Sequence, residues 1–226
     1  MKIYSMLLAL FAALFCFLGI SSAVAQSQRS TVRFTVIALS ELPDKHLYYR
    51  DGMGFTEIEI KNGKRSNPYS LASAQFLEIY TDHEDPEQRY RLIGKARLVA
   101  GTSRMLYFLR ENSSIIKEGT LPLGLFGVDD SHSTFPDGSF QFINFINAPL
   151  VIEFNKKRFD MKPGQSAVRK LNLPEAGAFI PFIVKDSQER ILGGTRLFSH
   201  AANREMVLIF PPKQGKKRLD VRYFSD

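Results

Sequence analysis

The stretch Leu92-Ile93-Gly94-Lys95-Ala96-Arg97-Leu98 has a near copy later in the chain, Ile191-Leu192-Gly193-Gly194-Thr195-Arg196-Leu197. Both copies join branched apolar residues to glycine and end in Arg-Leu, and the two arginines stand 99 positions apart. Self-similarity at a fixed spacing is the signature of a repeated structural unit. The two copies therefore predict that the chain contains the same fold twice.

The segments beside these two copies also resemble each other. Residues 76–80 are similar to residues 179–183, with Phe76 and Phe179 spaced by 103 positions. Residues 104–109 are similar to residues 205–210, with Met105 and Met206 spaced by 101 positions. The spacing varies by only a few residues, as expected when the surface turns of two related units differ in length. The order and spacing of the blocks favour an internal duplication.

Short strands, rather than helices, are the predicted elements. Thr56-Glu57-Ile58-Glu59-Ile60 alternates polar and apolar residues, which is typical of a half-buried strand. Asn62-Gly63, Pro136-Asp137-Gly138 and Pro163-Gly164 are turn signals between such segments. We predict an all-β protein of two tandem antiparallel β-sandwich (immunoglobulin-like) domains. The thirteen predicted strands cover residues 32–39, 55–60, 76–80, 90–99, 105–109, 123–128, 140–146, 150–154, 167–171, 179–184, 191–198, 206–210 and 219–224.

The first 25 residues are predicted to be a cleaved export signal. Met1-Lys2 gives a positive start, residues 6–20 are almost wholly apolar, and Ala23 and Ala25 form the Ala-x-Ala pattern that signal peptidases accept. The apolar run is shorter than the roughly 20 residues that a membrane span requires. We therefore expect a secreted or periplasmic protein, processed near Ala25 and without a transmembrane segment in the mature chain. Cys16, the only cysteine, would leave with the signal.

The remaining chain is predicted to form two domains, residues 26–133 and 138–226, joined near residues 131–138. Two adjacent sandwiches leave a groove between them, which is a common place for a ligand. The composition agrees with a globular protein, since 44% of the residues are hydrophobic and 23% are charged. We expect hydrophobic cores to hold the fold without disulfides.

A family resemblance accompanies these predictions. Phe140-Gln141-Phe142-Ile143-Asn144-Phe145 is an aromatic strand ending in Asn, and Lys162-Pro163-Gly164-Gln165-Ser166 supplies a Pro-Gly turn after the next short strand. This pattern resembles uncharacterised bacterial secreted β-sandwich domains, over about 35 residues. The resemblance implies an exported sandwich module and supplies no catalytic residues. The plan of two sandwiches is also similar to that of pilus-assembly chaperones, although their Asn-Pro-Pro segment is absent.

Catalytic chemistry finds little support in the sequence. His46, His83, His132 and His200 lack the spacing of zinc ligands, and no phosphate-binding glycine motif occurs. Residues 129–133 bring carboxylates, hydroxyls and an imidazole together, but a capped turn between domains is favoured over a nucleophilic triad. The acidic residues 82–87 could hold Ca²⁺, although a solvated hairpin turn is favoured. We predict no catalytic residue, cofactor or metal, while a distant carboxylate pair for glycan hydrolysis stays open.

Positive charge is the main candidate binding feature. Lysine and arginine exceed aspartate and glutamate by seven, and loss of Lys2 with the signal would leave an excess of six. Much of this charge lies on three predicted turns, where it either keeps edge strands from aggregating or forms a composite surface for an anionic partner. Nucleic acid is disfavoured as a partner because the chain is exported. The candidate binding residues are Lys61, Lys64, Arg65, Lys156, Lys157, Arg158, Lys216, Lys217 and Arg218.

The sequence thus predicts an exported non-enzymatic binding or assembly protein of the cell envelope. It would contact a protein or an anionic polysaccharide through strand edges and the groove between the domains. One alternative is an envelope glycan hydrolase, and another is a periplasmic chaperone-like protein. The chaperone alternative requires an Arg or Lys in the groove to receive a chain terminus.

Overall fold

The structure is a computed structural model that describes residues 31–42, 46–52, 54–61, 63–72, 75–85, 88–112 and 120–225. The predicted signal, residues 1–25, lies outside these described residues. Within them there is no α-helix, and so no helix of the length and apolar character that a membrane span would need.

The described residues form sixteen strands, eight in each half of the chain. The first half contains β1 (Thr31–Ala38), β2 (Leu47–Arg50), β3 (Phe55–Ile58), β4 (Tyr69–Ala72), β5 (Phe76–Asp82), β6 (Tyr90–Arg97), β7 (Arg104–Glu111) and β8 (Leu123–Asp129). The second half contains β9 (Ser139–Asn144), β10 (Leu150–Phe154), β11 (Lys157–Met161), β12 (Ser166–Lys170), β13 (Ala178–Lys185), β14 (Ile191–Ser199), β15 (Arg204–Phe210) and β16 (Asp220–Ser225).

The two halves repeat one topology strand for strand. The first half has an inner sheet of order β4-β1-β7-β8 and an outer sheet of order β3-β2-β5-β6. The second half has an inner sheet of order β12-β9-β15-β16 and an outer sheet of order β11-β10-β13-β14. Adding eight to each strand number converts one half into the other. The all-β fold of two tandem sandwiches is therefore confirmed, and the matching order supports the duplication.

The sandwiches are not purely antiparallel, which corrects one part of the prediction. β1 pairs in parallel with β7, and β9 pairs in parallel with β15. Parallel neighbours require a long connection, and five strands lie between the two members of each pair. Every other pairing in the described sheets is antiparallel.

Three strands, β2, β4 and β11, were missing from the thirteen predicted. β2 and β4 have only four residues each, which is too short to show a clear alternation. The sequence of β11 is Lys157-Arg158-Phe159-Asp160-Met161. Three of its five residues are charged, as expected for an edge strand with side chains in solvent, and the apolar pattern of a strand is therefore weak.

Each half encloses its own hydrophobic core between its two sheets. The first core contains Phe34, Leu77 and Tyr107 among its buried residues. The second core contains Phe142 and Phe182, whose ring centroids are 5.6 Å apart. Branched and aromatic side chains on facing strands supply both cores, as the composition predicts.

A third cluster of buried residues, named here the interface cluster, packs the two inner sheets against each other. Phe108 and Val128 belong to it from the first half, and Met206 and Leu208 from the second. Phe135, in the connection between the halves, is fully buried in the same cluster. The space expected to be a groove is therefore largely filled, and the four sheets form one stack.

The strand registers correct part of the predicted alignment of the halves. Gly94 pairs with Ile79 and Gly193 pairs with Val184, in each case next to a β-bulge. The spacing of 99 between β6 and β14 is thus retained. Ile79 and Val184 then correspond at a spacing of 105, so the predicted 103 for β5 and β13 is wrong by two residues.

The predicted spacing of 101 between β7 and β15 is wrong by one residue. Met105 contacts the first core, whereas Met206 contacts the interface cluster, so these two methionines face in opposite directions. A spacing of 100 instead pairs Leu106 with Met206 in the interface cluster and Tyr107 with Val207 in the two cores. An error of one position in the alignment of two strands exchanges the core-facing and outward-facing side chains. The sequence does not show this error for β7 and β15, because both faces of each strand are apolar.

Candidate functional site

A cavity opens between the described parts of the two halves, at the end where β7 and β9 finish, and it is named here the interface groove. Its volume is about 460 Å³. Its floor is aromatic, since the ring centroid of Phe145 lies 5.9 Å from that of Phe108 and 5.1 Å from that of Phe126. A groove between the halves was predicted, and this is the part of it that the interface cluster leaves open.

Two polar side chains of the interface groove, Asn144 and Arg110, differ in their contacts with the rest of the protein. The Asn144 amide donates hydrogen bonds to the carbonyls of Ala148 and Lys162, at 2.9 and 3.1 Å, and its oxygen accepts one from the Ile146 N–H at 2.9 Å. Asn144 therefore orders the loop after β9. Arg110 is exposed at the rim and has no ion-pair partner among the described residues. It is the charged group that a ligand in this groove would meet.

A second cavity opens on one side of the second sandwich, between the edge strands β14 and β16, and is named here the β14–β16 cleft. Its volume is about 450 Å³. Phe182 and Leu197 of the second core form part of its wall. Thr195 points inward, as Phe182 opposite it does, yet Thr195 is exposed. The interior of the sandwich is thus open to solvent at this point.

Two contacts bridge this cleft, one at each end. The Leu219 N–H donates to the Leu192 carbonyl at 3.4 Å, and the Tyr223 hydroxyl donates to the Phe198 carbonyl at 2.7 Å. Burial raises the pKa of Tyr223, and the neighbouring Glu205 carboxylate raises it further, so the hydroxyl keeps the proton that it donates. The stretch of β14 between the two bridges, residues 193–197, pairs with β13 on one edge and with no described strand on the other.

The equivalent side of the first sandwich is closed. A Cβ built on Gly94 would lie 2.4 Å from Leu125 Cδ1 and 3.2 Å from the Leu123 carbonyl oxygen, so β8 packs directly on β6. A Cβ built on the corresponding Gly193 would find its nearest neighbour, Leu219, at 3.9 Å. The opening is therefore a property of the second half and not of the repeated topology.

The large apolar side chains with the highest exposed fractions among the described residues lie on the outer face of the β13–β14 hairpin. Phe179, Ile191 and Phe198 are 69%, 68% and 47% exposed. The rings of Phe179 and Phe198 lie beside each other, with centroids 5.1 Å apart, and the exposed Pro181 follows on the same face. Apolar surface that is grouped in this way marks contact with another molecule.

The structure places the nine predicted basic residues in three separate parts of the surface: the β3–β4 loop, the β10–β11 turn with the start of β11, and the β15–β16 loop. Lys61 and Lys64 are exposed between β3 and β4, and Lys61 lies 3.5 Å from Glu59. Arg158 pairs with Glu189, while Lys156 and Lys157 are exposed at the β10–β11 turn. The cluster between β15 and β16 is exposed, and one of its members lines the β14–β16 cleft; it consists of Lys216, Lys217 and Arg218. A binding role for these residues stays a prediction.

Arg65, the ninth basic residue, points toward the contact between the halves. Its guanidinium lies 2.7 Å from a carboxylate oxygen of the fully buried Asp130. Arg104 and Arg204 reach the same carboxylate at 3.0 and 2.9 Å. Arg204 also donates to the backbone carbonyls of Asp130 and Phe135. Charge-assisted bonds of this kind join the two halves at one point.

The connection between the halves forms a capped turn, which is the interpretation that the sequence favoured. Asp129 accepts hydrogen bonds from the Ser131 N–H and the Thr134 hydroxyl, at 2.9 and 2.7 Å. Burial opposes ionisation of Asp129, but these bonds outweigh it and lower the pKa of the carboxyl. His132 is exposed, with its Nδ1 3.7 Å from Asp137, and the described contacts show no hydrogen bond between its ring and a serine.

The acidic loop that follows β5 is only partly described, because Pro86 and Glu87 lie outside the described residues. Asp82 accepts a hydrogen bond from the Tyr48 hydroxyl at 3.4 Å, and the Asp85 N–H donates to His83 Nδ1 at 3.1 Å. Among the residues that the structure describes, no group of three or more His, Cys, Asp or Glu side chains could hold a metal ion.

No protein-family model matches the chain, and no curated protein matches its sequence. The site must therefore be interpreted from its own geometry.

Sequence reasoning missed the β14–β16 cleft and the Asp130 cluster. A signal for the cleft was present, because Thr195 is a polar residue at an inward position of β14, and the preceding inward position is Gly193, which has no side chain. No signal in the sequence could have separated the buried Asp130 from the partly exposed Asp129 and Ser131 beside it, since its three partners come from positions 65, 104 and 204.

Proposed function

We propose that this chain is an exported binding or assembly protein of the cell envelope, without catalytic activity of its own, whose partner is a protein. The observation that carries the proposal is the pair of exposed rings of Phe179 and Phe198 on the outer face of the β13–β14 hairpin, with Ile191 exposed at the far end of the same hairpin. Soluble monomers rarely leave large apolar side chains grouped on one face unless a partner covers them. The export signal predicted in residues 1–25 supports the location.

The surroundings of this face support a protein partner. Arg196 lies on the same face of β14, opposite Pro181, and Lys185, bound to Glu153, lies opposite Ile191 near the turn of the hairpin. An apolar centre with charged and polar side chains at its rim is the usual composition of a protein interface. The free edge of β14 runs along the same hairpin, so strand-edge contact and side-chain contact are available together.

The two cavities give less support to the glycan hydrolase. That reaction requires two carboxyl groups about 5–10 Å apart that flank the bond to be cleaved. The described lining of the interface groove includes no carboxylate. The β14–β16 cleft includes only Asp220, which already contacts Arg222 at 3.2 Å and Lys213 at 3.7 Å.

A second candidate, a chaperone-like function, is favoured by Arg110. Its exposed guanidinium stands at the rim of the aromatic interface groove and could pair with the terminal carboxylate of a client chain. In that case Arg110→Ala would weaken binding of a peptide with a free carboxyl terminus and leave binding of its C-terminal amide unchanged. Equal affinity of both peptides for the unaltered protein would contradict this candidate.

Affinity capture from cell-envelope extracts tests the main proposal. The full chain, a Phe179→Ser/Phe198→Ser double variant and a Val99→Ser control would each serve as bait; Val99 is 46% exposed on a loop of the first half. We expect one protein to be retained by the full chain and by the control, at low and high salt, and to be lost from the double variant. Apolar contacts persist in salt, whereas contacts between exposed charges are screened.

The other outcomes of this capture experiment distinguish a protein partner from an anionic polysaccharide and from the absence of a partner. A polysaccharide retained only at low salt, and equally by the double variant, would indicate an anionic partner bound through the basic loops. Retention of no partner at either salt would contradict the proposal.

A further inference from the structure

We infer that the β14–β16 cleft accepts an extended segment of the partner protein, which adds to β14 as a new strand. This inference rests on the proposed function and specifies the partner at one site. The segment would carry small apolar side chains at alternate positions, directed into the cleft, and acidic residues at the end beside Arg218.

The backbone of β14 offers the hydrogen bonds that such a strand requires. The carbonyls of Leu192 and Phe198 point to the free edge, since they accept the bonds from Leu219 and Tyr223. Alternate residues of a strand direct their backbone groups to the same side. The N–H and C=O groups of Gly194 and Arg196 therefore also point to this edge.

A second observation also indicates that the backbone groups of Arg196 point to the free edge of β14. Arg196 lies opposite Pro181 in the β13–β14 pairing, and proline has no N–H to donate. The two residues therefore cannot exchange a pair of backbone hydrogen bonds across the ladder, and the backbone groups of Arg196 point away from β13. An edge with unpaired donors and acceptors is a template for strand addition.

The cleft beside this edge accommodates side chains. Inward positions of a strand added to β14 would lie next to Thr195 and Leu197 and face Val221 of β16. The volume of about 450 Å³ is within the range of ligand sites in proteins. The bridged stretch, from Leu192 to Phe198, is about 20 Å long at the usual rise of a strand, which fits a segment of about five residues.

Charge around the cleft selects among extended segments. Arg196 and Arg218 line it, and the exposed Lys216 and Lys217 are next to Arg218. Asp220 is the acidic residue of the lining, and its carboxylate is bound by Arg222 and Lys213. A second copy of the chain would bring the same basic residues against each other, so an acidic segment of a different protein is the better occupant.

Peptide binding tests this inference directly. The probes are fluorescent seven-residue peptides with alternating Val and Thr, carrying two Asp at one end or the other; controls have the same composition with consecutive Val, or two Lys for two Asp. We expect at least one alternating acidic peptide to bind about tenfold more tightly than either control, a difference of about 1.4 kcal/mol. The amides of Gly194 and Arg196 would become protected from hydrogen exchange in that complex.

Two variants block the site by different routes. Arg196→Pro removes the outward N–H without removing a ladder bond, and Thr195→Phe fills the cleft from inside. We expect each to weaken peptide binding about tenfold or more, while thermal unfolding shows that each remains folded. Arg97→Pro, at the corresponding position of β6, is the matched control and should bind as the unaltered chain does.

Several results would overturn the inference. Binding that Thr195→Phe and Arg196→Pro both leave intact would place the peptide elsewhere, and failure of the whole peptide panel would exclude strand addition at β14. A dimer that Arg196→Pro dissociates would show that the occupant is a second copy. Capture of a partner by the Phe179 face together with failure of every peptide would reject the inference and leave the proposed function standing.

Discussion

Asp130 is a single carboxylate that receives three guanidinium groups from distant parts of the chain. Its side chain is fully buried, and the Arg204 side chain is only 4% exposed. Removing one partner of a buried ion pair leaves the other charge without compensation in a medium of low polarity, which costs more than the pair itself contributes. Asp130 should therefore matter for folding, even though it lines neither the interface groove nor the β14–β16 cleft.

Asp130→Asn keeps the size of the side chain and removes its charge. We expect it to lower the free energy of unfolding by about 3–5 kcal/mol, because Arg204 and Arg65 lose their counter-charge. Urea unfolding would show this as a lower midpoint with an unchanged slope. Asp137→Asn is the control: its carboxylate is 58% exposed opposite His132, so the loss should be below about 1 kcal/mol. Equal losses for the two variants would contradict the interpretation.

The sequence indicates little about the contacts of single side chains, and Arg65 is an example. Its neighbours Lys61 and Lys64 are exposed, and composition alone treats the three residues alike. Arg65 differs because the loop after β3 runs beside the end of β1, where the Ser66 hydroxyl accepts a hydrogen bond from the Val36 N–H at 3.0 Å. The direction of one side chain thus depends on a contact between residues 30 positions apart.

The strand pairs β6–β8 and β14–β16 show how one topology produces both a closed and an open side. Gly94→Ala would force a Cβ against Leu123 and Leu125, and we expect it to lower the free energy of unfolding by about 1–3 kcal/mol through overpacking. Gly193→Ala meets no such neighbour and should stay within about 0.5 kcal/mol of the unaltered chain. Denaturant unfolding of both variants measures the difference. A cost at Gly193 as large as that at Gly94 would mean that the cleft is closed in solution.

A strand could be predicted well where one of its faces lies in a core and the other lies in solvent. β3 was predicted from the alternation of polar and apolar residues, because Ile58 is buried in the first core while Glu57 is exposed. β15 is buried along its whole length, and its unbroken apolar run carries no information on register. Such a run does indicate burial on both faces, and the runs at residues 105–109 and 206–210 could have predicted that the two halves pack together.

The described residues from Thr31 onward form a stack of four sheets, in which strands of both inner sheets contribute to two clusters at once. Side chains of β7 alternate between the first core and the interface cluster, and those of β15 alternate between the second core and the interface cluster. A loss of packing in one half therefore changes the support of the other. Residues 31–226 behave as one compact unit, although the topology repeats within them.

Cooperative unfolding follows from this shared packing. Ile152 is fully buried in the second core and is not a member of the interface cluster, so Ile152→Ala should lower the free energy of unfolding by about 2–5 kcal/mol through a local cavity. Six of the eight tyrosines lie in the first half, and therefore tyrosine fluorescence reports mainly on that half. We expect the fluorescence transition of the first half to shift to lower denaturant together with the loss of exchange protection in β10. Coincident transitions measured by separate probes are the test of all-or-none unfolding. If the tyrosine transition instead keeps its midpoint while β10 exchanges earlier, the halves unfold independently, and the interface cluster holds them together without coupling their stability.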